Sequence, residues 1–105
     1  MTKARIAIPE DRIAEFCVKW KITEFALFGS VLSEDFRPDS DVDVLVSFAP
    51  ETDWGLFDLV HMEQELGAIL GHRVDLVERV SVEAGQNYIR RRHILSSLEP
   101  VDVAR

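Results

Sequence analysis

Between Asp39 and Phe48 the chain reads DSDVDVLVSF, acids at alternate positions that run straight into an apolar stretch. The pattern predicts a strand over residues 41–48. Side chains alternate across a sheet, so Val42, Val44, Val46 and Phe48 share one face while Asp41, Asp43, Leu45 and Ser47 share the other. A sheet that buries residues 44–46 draws Asp43 to the mouth of its own core, where an unpaired carboxylate is costly. Any fold open to this chain has to give that acid a partner. Asp39, by contrast, reads as a turn residue.

Helices and short strands surround this segment. Residues 9–20 predict a helix: Pro9 suits the first turn, Glu10 and Asp11 suit its positive end, and Ile13, Phe16, Cys17 and Trp20 repeat at i, i+3, i+4, i+7. Residues 23–28 predict a strand ended by Gly29. SVLSEDFRPDS, residues 30–40, is too polar and interrupted for a strand, and Pro38 ends whatever short helix forms there. After a loop at residues 49–52, residues 54–70 predict the longest helix, with Leu56, Leu59, Val60, Leu66, Ile69 and Leu70 inward and Gly71 as its stop. Residues 73–77, RVDLV, predict a third strand, followed by a turn or short helix at 81–85. A last helix, about 87–98, would carry Ile94, Leu95 and Leu98, with RRRH on its exposed side. The expectation is one domain over residues 1–105, of α/β (α+β) class, around a small sheet.

Charge narrows the partners. Lys and Arg number 12 against 19 Asp and Glu, a formal net charge of −7. A chain this acidic does not hold polyanions by charge alone, which argues against a nucleic-acid or membrane binder. A basic protein partner, or an acidic site neutralised by metal, fits the sign. The lone Cys17 excludes an internal disulfide and a Cys-rich zinc site. There is no apolar signal-peptide core and no stretch near the ~18 apolar residues of a membrane span, so a cytoplasmic setting is expected. His61, His72 and His93 show no ligand spacing. Trp54 reads as a packing residue, and IRRRHIL at 89–95 as a solvated helix face.

The acids themselves suggest chemistry. Asp41 and Asp43 lie two apart on a strand and point the same way. Asp75, between Val74 and Leu76, would join them if the two strands are neighbours; the alternative is a strand-edge charge paired to Arg73. Carboxylates that converge without a cation repel one another and weaken the fold. A hard divalent ion such as Mg²⁺ favours such all-oxygen surroundings and commonly shares them with substrate phosphates. Gly29 and Ser30 fall at a strand-to-helix turn, where bare backbone and free amides can approach a phosphate.

FGS, ten residues, DVD followed by VLV, and a downstream GHRVDLV together resemble the minimal nucleotidyltransferases of the polymerase-beta-like superfamily. The signature of that family is Gly-Ser, ten residues, Asp-x-Asp. The resemblance implies the nucleotidyltransferase fold, a small mixed β-sheet flanked by helices, and transfer of a nucleoside monophosphate from ATP with release of pyrophosphate. It implies that Asp41 and Asp43 ligate Mg²⁺ and that Asp75 completes the triad, as a shared ligand or as base for the attacking hydroxyl. Two ions about 3.5–4 Å apart would then clamp the attacking and leaving oxygens. Gly29 and Ser30 would hold the triphosphate, with Ser40 and Arg37 as further nucleotide contacts. Many members place Arg just after Gly-Ser; here Val31 and Leu32 follow, and Arg37 is the candidate cation on the far side of the loop. Family members of this size resemble antitoxins that silence a HEPN-domain ribonuclease toxin by adenylylating one of its tyrosines. Two alternatives keep the fold: an antitoxin that masks its toxin by contact alone, and transfer to RNA or a small molecule such as an aminoglycoside. The net charge disfavours RNA.

Overall fold

Pro9 opens the first helix, α1 (Glu10–Trp20), in the computed structural model of the chain, which describes residues 6–84, 92 and 94–101. The Pro9 carbonyl accepts the Ile13 N–H at 3.0 Å. The stripe Ile13, Phe16, Cys17 and Trp20 is buried, as its helical spacing requires. Burial pushes the Cys17 thiol up to about 12, so it stays protonated and acts as a small hydrophobe.

The chain then enters a four-stranded mixed sheet: β1 (Ile22–Phe28), β2 (Val42–Phe48), β3 (Val74–Glu78) and β4 (Glu99–Pro100), in the spatial order β3-β2-β1-β4. β1 runs antiparallel to both β2 and β4, whereas β2 and β3 are parallel. That parallel pair needs a crossover, and α2 (Leu56–Leu70) supplies it. A short helix, α3 (Arg79–Ala84), follows β3 directly, within two residues of the turn expected there.

Alternation along the strands sorts the core into two sides. Phe25, Leu27, Val42, Val44, Val46 and Val74 pack with α1 and α2 on one face. Phe28 and Leu45 meet Ile94 on the other, with Val77, Val82, Leu95 and Leu98 around them. Ile94 belongs to a helical turn, residues 94–96, of the expected last helix; residues 87–91 and 93 of that helix lie outside the described residues, and Arg92 is exposed.

Two expectations are corrected. In α2 the buried stripe is Met62, Leu66 and Leu70, and Leu56 and Val60 are exposed, Leu56 at 74%. Steps of four residues carry the stripe around the helix, leaving Val60 off it and Leu56 in an outer first turn. The helix expected before Pro38 is a 3-10 turn that stops at Leu32. β4 was not expected at all. Its two residues carry no alternation, and Pro100, which has no N–H to donate, is tolerated because β4 is an edge strand.

Polar side chains finish the edges. At the other edge the Leu76 N–H donates to Glu63 Oε2 at 2.8 Å, so a side chain of α2 satisfies a backbone group that no further strand reaches. Trp54 packs edge-on against Trp20 with ring centroids 5.1 Å apart and donates its indole N–H to the Trp20 carbonyl, the packing role expected of it. Arg79 forks onto Glu24, with Nε to Oε1 at 2.7 Å and an Nη to Oε2 at 2.6 Å, and Ser47 Oγ donates to the same carboxylate at 2.8 Å. This pins α3 across the sheet to β1.

Hydrogen bonds from Arg79 hold the Glu24 carboxyl below its ordinary 4.5 against the opposing effect of burial. A carboxyl whose value is depressed on folding adds stability that is complete above its unfolded value and is lost as pH falls through the lower folded one. Both side chains are partly exposed, so screening limits the contribution to about 1 kcal/mol. Glu24→Gln is therefore expected to lose about that much at neutral pH and less at about pH 3.5, measured by urea unfolding. An equal loss at both pH values would assign the effect to packing.

Candidate active site

The acidic end of the sheet is built by register. Phe28 of β1 stands opposite Asp43 of β2, and Asp43 stands opposite Asp75 of β3. Strands lie about 4.8 Å apart, and paired residues point to the same face, so Asp43 and Asp75 are side-by-side neighbours. Asp41 and Arg73 lie just before β2 and β3 begin, and the Val42 N–H donates to the Arg73 carbonyl at 2.8 Å to fix that end. Residues 41, 43, 73 and 75 thus form a block of three acids and one cation on one face. Asp43 is half-buried at its inner corner, while Asp41, Arg73 and Asp75 are exposed.

Gly29 closes the inner side of the block. It leaves β1 with φ +79°, a left-handed conformation that favours glycine, and starts the 3-10 turn (Gly29–Leu32). A Cβ placed on Gly29 would collide with Oδ2 of Asp43 and approach its Cγ to 3.3 Å. The missing side chain is what lets the Asp43 carboxylate lie against the turn. Ser30 is half-buried, and its carbonyl accepts the Ser33 N–H at 2.9 Å. The Gly29 turn and Asp43 of β2 therefore meet at one place.

The loop between them is held by its own hydroxyls. Ser40 Oγ accepts the Arg37 N–H at 3.0 Å, and the Ser40 N–H returns to the Arg37 carbonyl at 2.9 Å, closing a tight turn that contains Pro38 and Asp39. Asp39 is an exposed turn residue, as expected. Arg37 lines a cavity of about 370 Å³ with Glu34, Phe36, Pro38 and His72, and the Phe36 and His72 rings face each other at 5.3 Å. Nothing in the sequence pattern singles out this cavity, because its walls come from a loop and from the turn before β3.

Arg73 is the member of the block to which the sequence assigns no role of its own. The alternative for Asp75 was a pairing with Arg73, but the Arg73 Nε lies 4.0 Å from Oδ1 of Asp41 instead. The equal spacing of Arg-x-Asp at 73–75 and Asp-x-Asp at 41–43 carries the signal, but it becomes readable only once the two strands are known to pair in parallel.

The donor set suits a hard divalent cation: carboxylate oxygens alone, two of them from register partners, beside a glycine that leaves room for them. With Asp41 turned to Arg73, no three acid, His or Cys side chains among the described residues are gathered closely enough to hold an ion.

Comparison with known proteins gives the family and the fold. The chain matches the nucleotidyltransferase domain over residues 10–98. It is 39% identical over 67 residues to the protein adenylyltransferase MntA of Thermococcus cleftensis, a stretch covering 64% of this chain and 66% of that one. The chain thus spans just under two thirds of that relative's length. Among solved structures, one provisionally assigned as a minimal nucleotidyltransferase is 28% identical and superposes with a TM-score of 0.66, covering 88% of each chain. A crystal structure of a toxin–antitoxin with AMP-PNP superposes with a TM-score of 0.67 over 93% of this chain and 76% of that one; at 19% identity the likeness is one of fold.

Gly29→Ala should lower stability by about 1–3 kcal/mol, through the left-handed backbone and the collision with Asp43. Adding Asp43→Ala removes the collision but not the backbone cost, so part of the loss should return. Thermal unfolding of wild type, both single variants and the double variant measures that coupling. Strictly additive losses would place the Asp43 carboxylate away from Gly29.

Proposed function

This chain belongs to the nucleotidyltransferase domain family, and from that premise we propose that it transfers AMP from ATP to a hydroxyl of a protein partner. The observation that carries the reading is the meeting of the Gly29-Ser30 turn with the paired Asp43 and Asp75. The acceptor class follows the family resemblance, the likeness to a relative named as a protein adenylyltransferase, and the fold likeness to a toxin–antitoxin. The partner we propose is a HEPN-domain toxin, the acceptor a tyrosine hydroxyl, and the result neutralisation of the toxin.

In this reading the backbone amides of the Gly29-Ser30 turn hold the triphosphate, and Arg37 and Ser40 border it from the loop. Asp41, Asp43 and Asp75 would hold Mg²⁺. When bound, the metal supplies positive charge against the phosphate oxygens and the developing charge of the leaving group. The bond that forms joins the acceptor oxygen to the α-phosphorus, and the bond that breaks joins that phosphorus to the departing pyrophosphate. Where Asp75 acts as base rather than as shared ligand, the hydroxyl proton passes to its carboxylate, which is exposed to an approaching acceptor. Asp43, half-buried against Gly29, is the fixed member of the set. The setting we propose is the cytoplasm, where ATP is available; among the described residues no helix is long and apolar enough to cross a membrane.

The test is transfer of label from α-phosphate-labelled ATP, with Mg²⁺, into a lysate of the source cell, comparing wild type with Asp43→Asn. A labelled protein band that the variant does not produce is the expected result. Label appearing instead in RNA or small molecules would move the acceptor. No wild-type-specific label in any fraction, with the acceptor candidates shown to be present, would favour an antitoxin that acts by contact alone.

A further inference from the structure

The acids of α2 are all engaged within the protein. Asp58 Oδ2 accepts the Gly55 N–H at 2.9 Å at the start of the helix, Glu63 accepts the Leu76 N–H, and Glu65 accepts from Lys19 Nζ and the Trp20 indole. All three are half-buried on the flanks of the helix. Facing outward are Leu56, Phe57, Val60, His61, Gln64 and Ala68, a stripe without Asp, Glu, Lys or Arg. A surface helix ordinarily has the reverse order, charge outside and apolar groups inside. Phe57 is 88% exposed, and Leu56 and Val60 are exposed beside it within about one turn, so the apolar groups form one patch rather than scattered residues. An aromatic side chain surrounded by charge-depleted surface is the composition of a protein–protein interface core.

We propose that this face of α2 docks the acceptor protein, on a partner surface that is apolar at its centre and carries Lys or Arg at its rim. The inference rests on the protein-acceptor reading given under Proposed function and adds the surface that holds the acceptor. Charge selects the occupant. None of the 12 Lys and Arg lies between Arg37 and Arg73 in the sequence. Glu51 and Asp53 are exposed just ahead of the helix, and Lys19, which reaches its flank from α1, is paired with Glu65. A second copy of this chain would set the same acids against these ones. A helix that lies on a membrane carries Lys and Arg along its polar flanks, and α2 has neither. Position keeps docking apart from chemistry. β2 leads away from the acidic end, and α2, 15 residues with a rise of about 22 Å, returns the chain to Val74 opposite Val42. Phe57 therefore stands toward the end of the sheet opposite Asp43. The start of the helix is also held in place, because Trp54 packs on Trp20 and donates to its carbonyl, so little ordering is needed on binding.

The test follows label from α-phosphate-labelled ATP, with Mg²⁺, into protein in a lysate of the source cell, with the full chain at limiting and at high concentration. Phe57→Ser combined with Val60→Ser should label the acceptor band roughly tenfold more slowly than wild type at limiting concentration and approach wild type at high concentration. Val80→Ser removes an exposed apolar side chain from α3, on the other face of the sheet, and should match wild type. Asp43→Asn should give no label at either concentration. Glu51→Gln combined with Asp53→Asn should slow labelling about two- to fivefold at low salt and leave it unchanged at high salt. Wild-type labelling by the Phe57 and Val60 variant at limiting concentration overturns the docking face and leaves adenylyl transfer standing. No effect of the acid pair at low salt overturns the basic rim. A wild-type dimer in sedimentation that the Phe57 and Val60 variant dissolves gives the face to a second copy, and vesicle binding that the same variant loses gives it to a membrane; either result overturns the proposal. If wild type labels no protein, the transfer reading fails and this inference fails with it.

Discussion

The parallel pairing of β2 with β3 sets Asp43 opposite Asp75, and the acidic end of the sheet is built on that register. A slip of one residue would turn the acids to the face covered by α1 and α2 and send Val44 and Val46 toward solvent. The register is therefore held by the core. Val42, Val44 and Val46 are fully buried on one face, and Leu45 on the other. The same alternation that buries the valines presents the acids, so the stability of the strand and the composition of the site are consequences of one pattern.

The two ends of the sheet are built differently. At the end away from Asp43, Glu24 receives a forked pair of hydrogen bonds from Arg79 and a third from Ser47, and these hold α3 in place. Trp20 and Trp54 pack edge to face where α1 meets the loop before α2. At the acidic end the ion pair between Arg73 and Asp41 is long and exposed. A site that must take up and release charged groups needs side chains able to move, whereas α3 needs a fixed anchor. The difference in pairing matches those demands.

Periodicity made much of this legible. The buried stripe of α1, the faces of β2 and the stop at Gly71 follow from spacing and from single residues with strong preferences. The meeting of Gly29-Ser30 with the acids was legible because a family signature links them across ten residues. What stayed hidden depends on relations between distant segments. The alternative that paired Asp75 with Arg73 fails because the Arg73 guanidinium lies against Asp41, a residue distant in sequence. β4 is too short to show any period. Leu56 and Val60 of α2 read as inward because they are apolar, yet both are exposed, while Leu59 does pack against the core. Hydrophobicity alone does not say which side of a helix the sheet will cover.

The central claim is that Asp43 and Asp75 act together with the Gly29-Ser30 turn on a nucleoside triphosphate. Its most direct test is a crystal structure of the protein soaked with Mn²⁺ and a non-hydrolysable ATP analogue, with the metal located by its anomalous scattering. The account predicts an anomalous peak ligated by Asp43 and Asp75, with the triphosphate against the backbone of Gly29 and Ser30. A triphosphate bound elsewhere on the molecule, or a metal that avoids both carboxylates, would contradict it.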